Sequence, residues 1–445
     1  MQKIRIFLAL LLFGAVSMVS ALTVESILGK DGSFFKMADG DVFLSANSPY
    51  YRYFRWVSGD RYQARYPGWK NSPRDLTFAD QTLAEALFRF DKDRSLKSID
   101  LSIFNRGDNG DIPYAQFEDQ RDKIKNHISS QTKQPSVRKT GKLASGMRIE
   151  RQIWIADGLA YVLRSSMTKG RSKKENRPEF IQLEIKPFDP NKDPRKTSVQ
   201  HSDRSAIQSK KDLVENVVRQ RNNTVFIDHI PMVDQGEKGY CVVAATERVM
   251  RYFGINTVNQ HLLAQLTSSS RQEGTSIDAM LEAVGDAGSK LGVYLSEEYC
   301  LIEDYNDVKH LVRDYNRQAR RNDVPKVEIV QFGNQIDVLR TISSMDPKTY
   351  IQIRSKSRDV RNFKKLIQKN IDKGLPLAWS VFLGIVPEIN LKQAIGGHLR
   401  LIIGYNFAAD KIIYSDSWGA GHEKKEMDLK NACAITQRIL LFRPR

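Results

Sequence analysis

The chain has 445 residues, with 69 Lys and Arg against 52 Asp and Glu (formal net charge +17), and 41% of its residues are apolar. That length accommodates two to three ordinary domains with enough apolar chain to bury a core, so fibrous and disordered classes are excluded. Three cysteines, Cys241, Cys300 and Cys433, are too few for a disulfide-stapled scaffold, and their odd number leaves at least one thiol over.

Taken in order, Lys3 and Arg5 precede an apolar run from Ile6 to Val19, and Val19-Ser20-Ala21 gives a small-residue cleavage pattern. Residues 1–21 read as a secretory signal removed after Ala21; the alternative is an uncleaved anchor, for which the run is short. The expected product is an exported (periplasmic or extracellular) protein with no transmembrane segment after signal removal. From Leu22 to Pro190 the pattern is mainly β. Ser98 to Ile103 alternates as a half-buried strand does, Phe180 to Ile185 is a further strand, and Met147–Ile155 and Leu159–Arg164 form a hairpin at Asp157-Gly158. Helices are expected at Thr82–Phe90 and Asp119–Ser130. The early aromatics (Tyr50, Tyr51, Tyr53, Phe54, Trp56, Tyr62, Tyr66, Trp69) read as core and sheet surface more readily than as a binding groove. Nothing in residues 22–190 carries chemistry, which makes this stretch a β-rich accessory domain. Residues 191–224 are polar and charged, a linker with one helix at Lys211–Arg219.

Residues 225–445 form the next domain. A short strand, Val225 to Ile230, enters a loop broken by Gly236 and Gly239, and a helical pattern starts at Cys241. Val242, Ala245, Val249 and Phe253 recur at helical spacing, and Gly254 stands where a helix ends. Cys241 therefore lies on the first turn of a buried helix, where unpaired N–H groups favour a thiolate. The plain alternative is one more buried cysteine. Glu247 and Arg248 on the same helix read as surface or inter-subdomain pairs. Further helices are expected at Gln260–Leu266, Ile277–Gly285, Asp304–Arg321 and Phe363–Ile371, with strands at Val327–Gln331 and Leu377–Phe382. Cys300 and Cys433 are left open as a pair, with Cys241 the natural free thiol. Basic residues crowd 306–373, including RQARR at Arg317–Arg321, without a zinc-finger, basic-zipper or RNP-like motif. No specific nucleic acid is expected; anionic envelope polymers or acidic partners suit the charge, as does a merely solvated face.

Late in the chain, GGHLRLIIGYNFAADKIIYSDSWG carries His398 at the start of one strand and Asp416 at the end of the next. Counted from a turn centred near residues 407 and 408, the two are nearly equidistant, which predicts that they face each other across an antiparallel pair. At that spacing a carboxylate holds an imidazole by its Nδ1–H. The roles follow: Cys241 as nucleophile, His398 as base and then acid, Asp416 as its orienting partner, and Gln235, six residues before the cysteine, as an oxyanion donor. The other histidines show no ligand spacing, and neither a metal nor another cofactor is expected.

The order Gln235, Cys241, His398, Asp416 resembles the papain-like fold. More narrowly, IPMVDQGEKGYCVVAATERVMRYFG with GGHLRLIIGY and YSDSWG resembles the C39-like cysteine peptidases, over about residues 225–445. The resemblance implies an α+β domain, a helical subdomain bearing the cysteine packed on an antiparallel β subdomain bearing the histidine and acid, preceded here by the β-rich N-terminal domain. It also implies that Trp418 shields the histidine–acid pair. Tyr240 and Val242 flank the cysteine where papain has Ser and Trp, so a different groove is implied. Three functions stand open: a cysteine endopeptidase acting on peptide or protein substrates, another acyl transferase or amidase acting on envelope peptides, and a non-catalytic binding module.

Overall fold

Two eight-stranded antiparallel sheets organise the protein in its computed structural model. The structure describes residues 22–445 apart from 30–33, 38, 69–70, 143–147, 173–174, 197–207, 237–238, 256–257, 270–273, 334, 390 and 392–394. The signal read at residues 1–21, Trp69 and Met147 lie outside the described residues.

The first sheet is built from β1 (Arg55–Trp56), β2 (Gln63–Tyr66), β3 (Glu85–Phe90), β4 (Leu96–Asn105), β5 (Val137–Lys142), β6 (Arg148–Ala156), β7 (Leu159–Thr168) and β8 (Arg177–Pro187). Their order across the sheet is β1-β2-β3-β4-β8-β7-β6-β5. Helix α1 (Tyr114–Thr132) covers it with Phe117, Ile124 and Ile128, spaced to share one helix face. Of the early aromatics, Tyr53, Phe54 and Tyr66 are core, whereas Tyr51 is exposed. The segment read as a helix over Thr82–Phe90 is instead strand. Leu83, Ala86, Leu87 and Phe90 satisfy a helical period, but Ala86, Phe88 and Phe90 also alternate, and all three are buried between β2 and β4. Long-range pairing decides such an ambiguous run. The strand expected to be half-buried, β4, is covered on both sides. Ile99, Leu101 and Ile103 enter the core, while Ser98, Asp100 and Ser102 line a cavity of about 610 Å³ facing the second half of the chain.

The second sheet comprises β9 (Val217–Arg219), β10 (Val225–Ile227), β11 (Val293–Cys300), β12 (Leu377–Leu383), β13 (Gly396–Asn406), β14 (Lys411–Ser415), β15 (Lys425–Asp428) and β16 (Thr436–Pro444). Its main path is β9-β10-β13-β12-β16-β11, with β14 pairing to β13 and β15 to β14. The helix expected at Lys211–Arg219 stops at Glu215, and β9 already pairs with β10, so the sheet begins inside the polar stretch. Every residue of β12 is buried. Around the sheet lie α2 (Cys241–Tyr252), α3 (Gln260–Leu266), α4 (Ile277–Leu291), α5 (Tyr305–Asn322), α6 (Pro347–Arg354), α7 (Ser357–Ile371) and α8 (Leu429–Ile435). Of the strand expected over Val327–Gln331 only Gln331 is strand, in the two-residue Gln331–Phe332 that pairs with Gln335–Ile336, while residues 327–330 belong to no ladder. The Asn316 side chain exchanges two hydrogen bonds with the Val327 backbone (2.8 and 2.9 Å), and Thr341 Oγ1 accepts from Val330 N–H at 2.9 Å, so this backbone needs no neighbouring strand. Arg313, Arg317, Arg320 and Arg321 line a shallow depression on α5. No helix among the described residues is long and apolar enough to cross a membrane.

Candidate active site

Helix α2 is buried nearly all round, with Val242, Val243, Ala244, Ala245, Val249 and Met250 almost inaccessible. It begins at Cys241. Its N-cap, Tyr240, makes no side-chain hydrogen bond to the first turn, and the positive end of the helix lies at the thiol. It ends where expected: Gly254 N–H donates to Arg251 O and Ile255 N–H to Met250 O, closing the last turn.

The cysteine faces His398 of β13. Burial alone would raise the Cys241 thiol, but the His398 ring and the N–H groups of Leu399 and Val242 hold it below its ordinary value. The opposite edge of the ring belongs to Asp416, whose Oδ1 lies 2.5 Å from His398 Nε2, with both side chains wholly buried. Burial would lower the imidazole, yet the Asp416 charge and hydrogen bond outweigh it and push His398 up to about 9. Asp416 itself, against the upward pull of burial, is held down at about 2 by His398 and Arg400.

Two details differ from the sequence expectation. The carboxylate takes Nε2, not Nδ1. Nor do His398 and Asp416 lie directly opposite. Leu401 pairs with Ser415, and a bulge falls between Ile402 and Gly404, so continuing the register puts Asp416 across from Arg400 and diagonal to His398. His398 and Arg400 are two apart and share one face of β13, so both reach the same carboxylate.

Arg400 is the residue the sequence reading missed. Its guanidinium is fully buried, with Nε 3.0 Å from Asp416 Oδ2 and Nη1 3.1 Å from Glu388 Oε1. Tyr414 O–H donates to Glu388 Oε2 at 2.6 Å, and the guanidinium lies over the Tyr414 ring at 4.7 Å. Asp416 thus has a cation or ring nitrogen on each oxygen. The signal was a lone charge inside the apolar run HLRLIIGY.

Trp418 stacks on His398 with ring centroids 4.4 Å apart and an 18° interplanar angle, so it covers the imidazole. Gln235 is buried on the loop before α2, and its backbone N–H donates to Ser417 O at 2.9 Å, which ties that loop to the segment after Asp416. Glu247 and Arg248 are not surface residues. Glu247 pairs with Arg251 at 2.5 Å, while Arg248 donates from Nε to Pro231 O (2.8 Å) and from Nη1 to Asp416 O (2.9 Å). Arg248 thereby joins the cysteine's helix to the acid's strand. Cys300 and Cys433 are both free thiols, donating to Ile302 O and Arg354 O respectively. Burial raises both, Cys433 to about 11. No group of three or more metal-ligating side chains occurs among the described residues.

No curated protein matches the chain. Residues 227–437, the stretch that carries Gln235, Cys241, His398, Asp416 and Trp418, match the Peptidase_C39 like family.

Proposed function

We propose that the chain is an exported cysteine peptidase that hydrolyses peptide bonds through Cys241, His398 and Asp416, in a papain-like arrangement of α2 against the β12–β13–β14 sheet. The supporting observation is the His398 ring placed between a buried Asp416 carboxylate and a thiol lowered at a helix start. In this reading the Cys241 thiolate attacks the substrate carbonyl carbon, forming a C–S bond. The oxyanion is met by the Cys241 N–H and the Gln235 side-chain amide. The imidazolium gives its proton to the leaving amine as the C–N bond breaks, leaving a thioester. Water, deprotonated by His398, then attacks the thioester, releases the acid and restores the thiol. Asp416, with Arg400 behind it, keeps the ring charged and aimed. The basic face of α5 suits an anionic envelope polymer, with residues 1–21 as the export signal.

The test is a peptide-library digest with the mature protein under reducing conditions, beside Cys241→Ala and His398→Ala. Cleavage that both substitutions abolish is the expected result. Full activity in Cys241→Ser would end the nucleophile assignment. New amide products on adding an amine would move the protein to the acyl transferases, and iodoacetamide labelling of Cys241 no faster than an ordinary thiol would make it a binding module.

A further inference from the structure

The first sheet reaches the site. Arg55 and Arg65 are cross-strand partners on β1 and β2, and both bear on the loop that carries Gln235. Arg55 pairs through Nη2 with Asp234 Oδ2, and the Asp234 side chain is fully buried. The other oxygen of Asp234 accepts from Gly236 N–H at 2.9 Å, so this carboxylate closes the turn around Gln235. Arg65, itself held by Glu85 at 3.0 Å, lies against Gly236, where a Cβ would come within 2.6 Å of Nη2 and φ is +73°. Gly419, just past Trp418, is packed the same way: a Cβ there would meet Asp234 Oδ2 at 2.7 Å and Arg55 Nη2 at 3.1 Å. Two further contacts flank the loop. Tyr240 O–H donates to Asn105 Oδ1 at 3.3 Å from beside Cys241, and Glu423 Oε1 accepts from Gly59 N–H at 2.8 Å.

We infer that the N-terminal sheet is a fixed brace of the site, in which Arg55 is a positioning residue: it holds the Asp234–Gly236 turn where the Gln235 amide can meet an oxyanion. The inference rests on the peptidase reading for its kinetic meaning. Its structural content, that β1 and β2 order a loop outside their own sheet, stands apart from it. The thiol and imidazole are anchored separately, by α2 and β13, so loss of the brace separates oxyanion stabilisation from thiol reactivity. The C39-like match begins at residue 227 and leaves this part of the site outside it.

The test uses the full mature chain with Arg55→Ala, Arg55→Lys and Asp234→Asn. Three quantities are read: kcat and KM on a peptide cleaved by the parent protein, the rate of Cys241 alkylation, and backbone hydrogen exchange over residues 233–241. In Arg55→Ala, kcat is expected to fall about tenfold to a hundredfold, as for small misplacements near reacting atoms, with KM and alkylation little changed. Exchange over 233–241 rises, and Arg55→Lys recovers part of both losses. Unchanged kcat and exchange would overturn the inference. So would a parallel loss in every readout with a lowered melting temperature, which marks a general stability residue. Should Arg55→Ala fail to fold, Asp234→Asn, of the same shape, carries the same expectations. A parent protein without Cys241-dependent hydrolysis would sink the peptidase reading alone, and the exchange comparison would still decide the brace.

Discussion

Replacing Asp416 by Asn removes one charge while keeping the side chain's shape, and the structure says what should change. The His398 ring is fully buried, and burial by itself lowers an imidazole; it stands at about 9 because Asp416, at 2.5 Å, and after it Cys241 outweigh that burial. Raising a ring from its ordinary 6.5 to about 9 corresponds to about 3 kcal/mol of preference for the charged form, at about 1.4 kcal/mol per pH unit. Without the carboxylate the larger part of that preference is lost, and the ring should deprotonate at about 7. Thiolate–imidazolium pairs persist only below the ring's own pKa, so the alkaline limb of activity moves to lower pH. The assay is the pH dependence of iodoacetamide alkylation at Cys241, followed by mass spectrometry, together with kcat/KM. At pH 8 the charged pair should be depleted about tenfold or more, because each pH unit past the pKa is a factor of ten. Arg400 keeps one carboxylate partner, Glu388 at 3.1 Å. An alkaline limb that stays near 9 in Asp416→Asn would refute the reasoning, since some other group would then be holding the ring charged.

Trp418→Ala strips the cover from His398; we expect about 3–5 kcal/mol of destabilisation by urea unfolding, the range for large aromatic truncations in a core. Near neutral pH, limiting iodoacetamide should modify Cys241 well before Cys300 and Cys433, whose thiols burial raises, and peptide mapping that finds Cys300 labelled first would contradict this. Stability should also follow the His398–Asp416 pair, measured in Cys241→Ala to remove the coupled thiol. The raised imidazole contributes fully below its ordinary 6.5 and fades as the pH climbs above it, whereas the depressed carboxylate contributes fully above 3.8 and fades towards about 2. Urea midpoints should therefore be highest between about 4 and 6.5, and a maximum above pH 8 would count against the pair.

Much of the second half was readable because its signals are local. The run of small apolar residues after Cys241 marks a helix with no exposed face, and Gly254 marks its end. The β-branched segments either side of Asn406 mark two strands, and a short turn between them brings His398 and Asp416 into one neighbourhood. What could not be read depends on partners far along the chain. The bulge at Ile402–Gly404 shifts the register by an amount no periodicity reports, and with it the place of Arg400. Glu85–Phe90 satisfies two periods, and only the flanking strands choose between them. Arg55 and Asp234 are 179 positions apart; on the sequence each is an unremarked charge.

The charges of this protein fall into two populations that bulk ions treat differently. Around the imidazole, Asp416 and Arg400 have no accessible side-chain surface, so an added electrolyte has no counterion to place beside them. On α5, Arg317 is mostly exposed and its link to Asp314 spans 3.9 Å, so the same electrolyte reaches it directly. Raising ionic strength should therefore loosen attachment to any polyanion while leaving the sulfur's reactivity where it was, and one titration would separate where the protein sits from what it does.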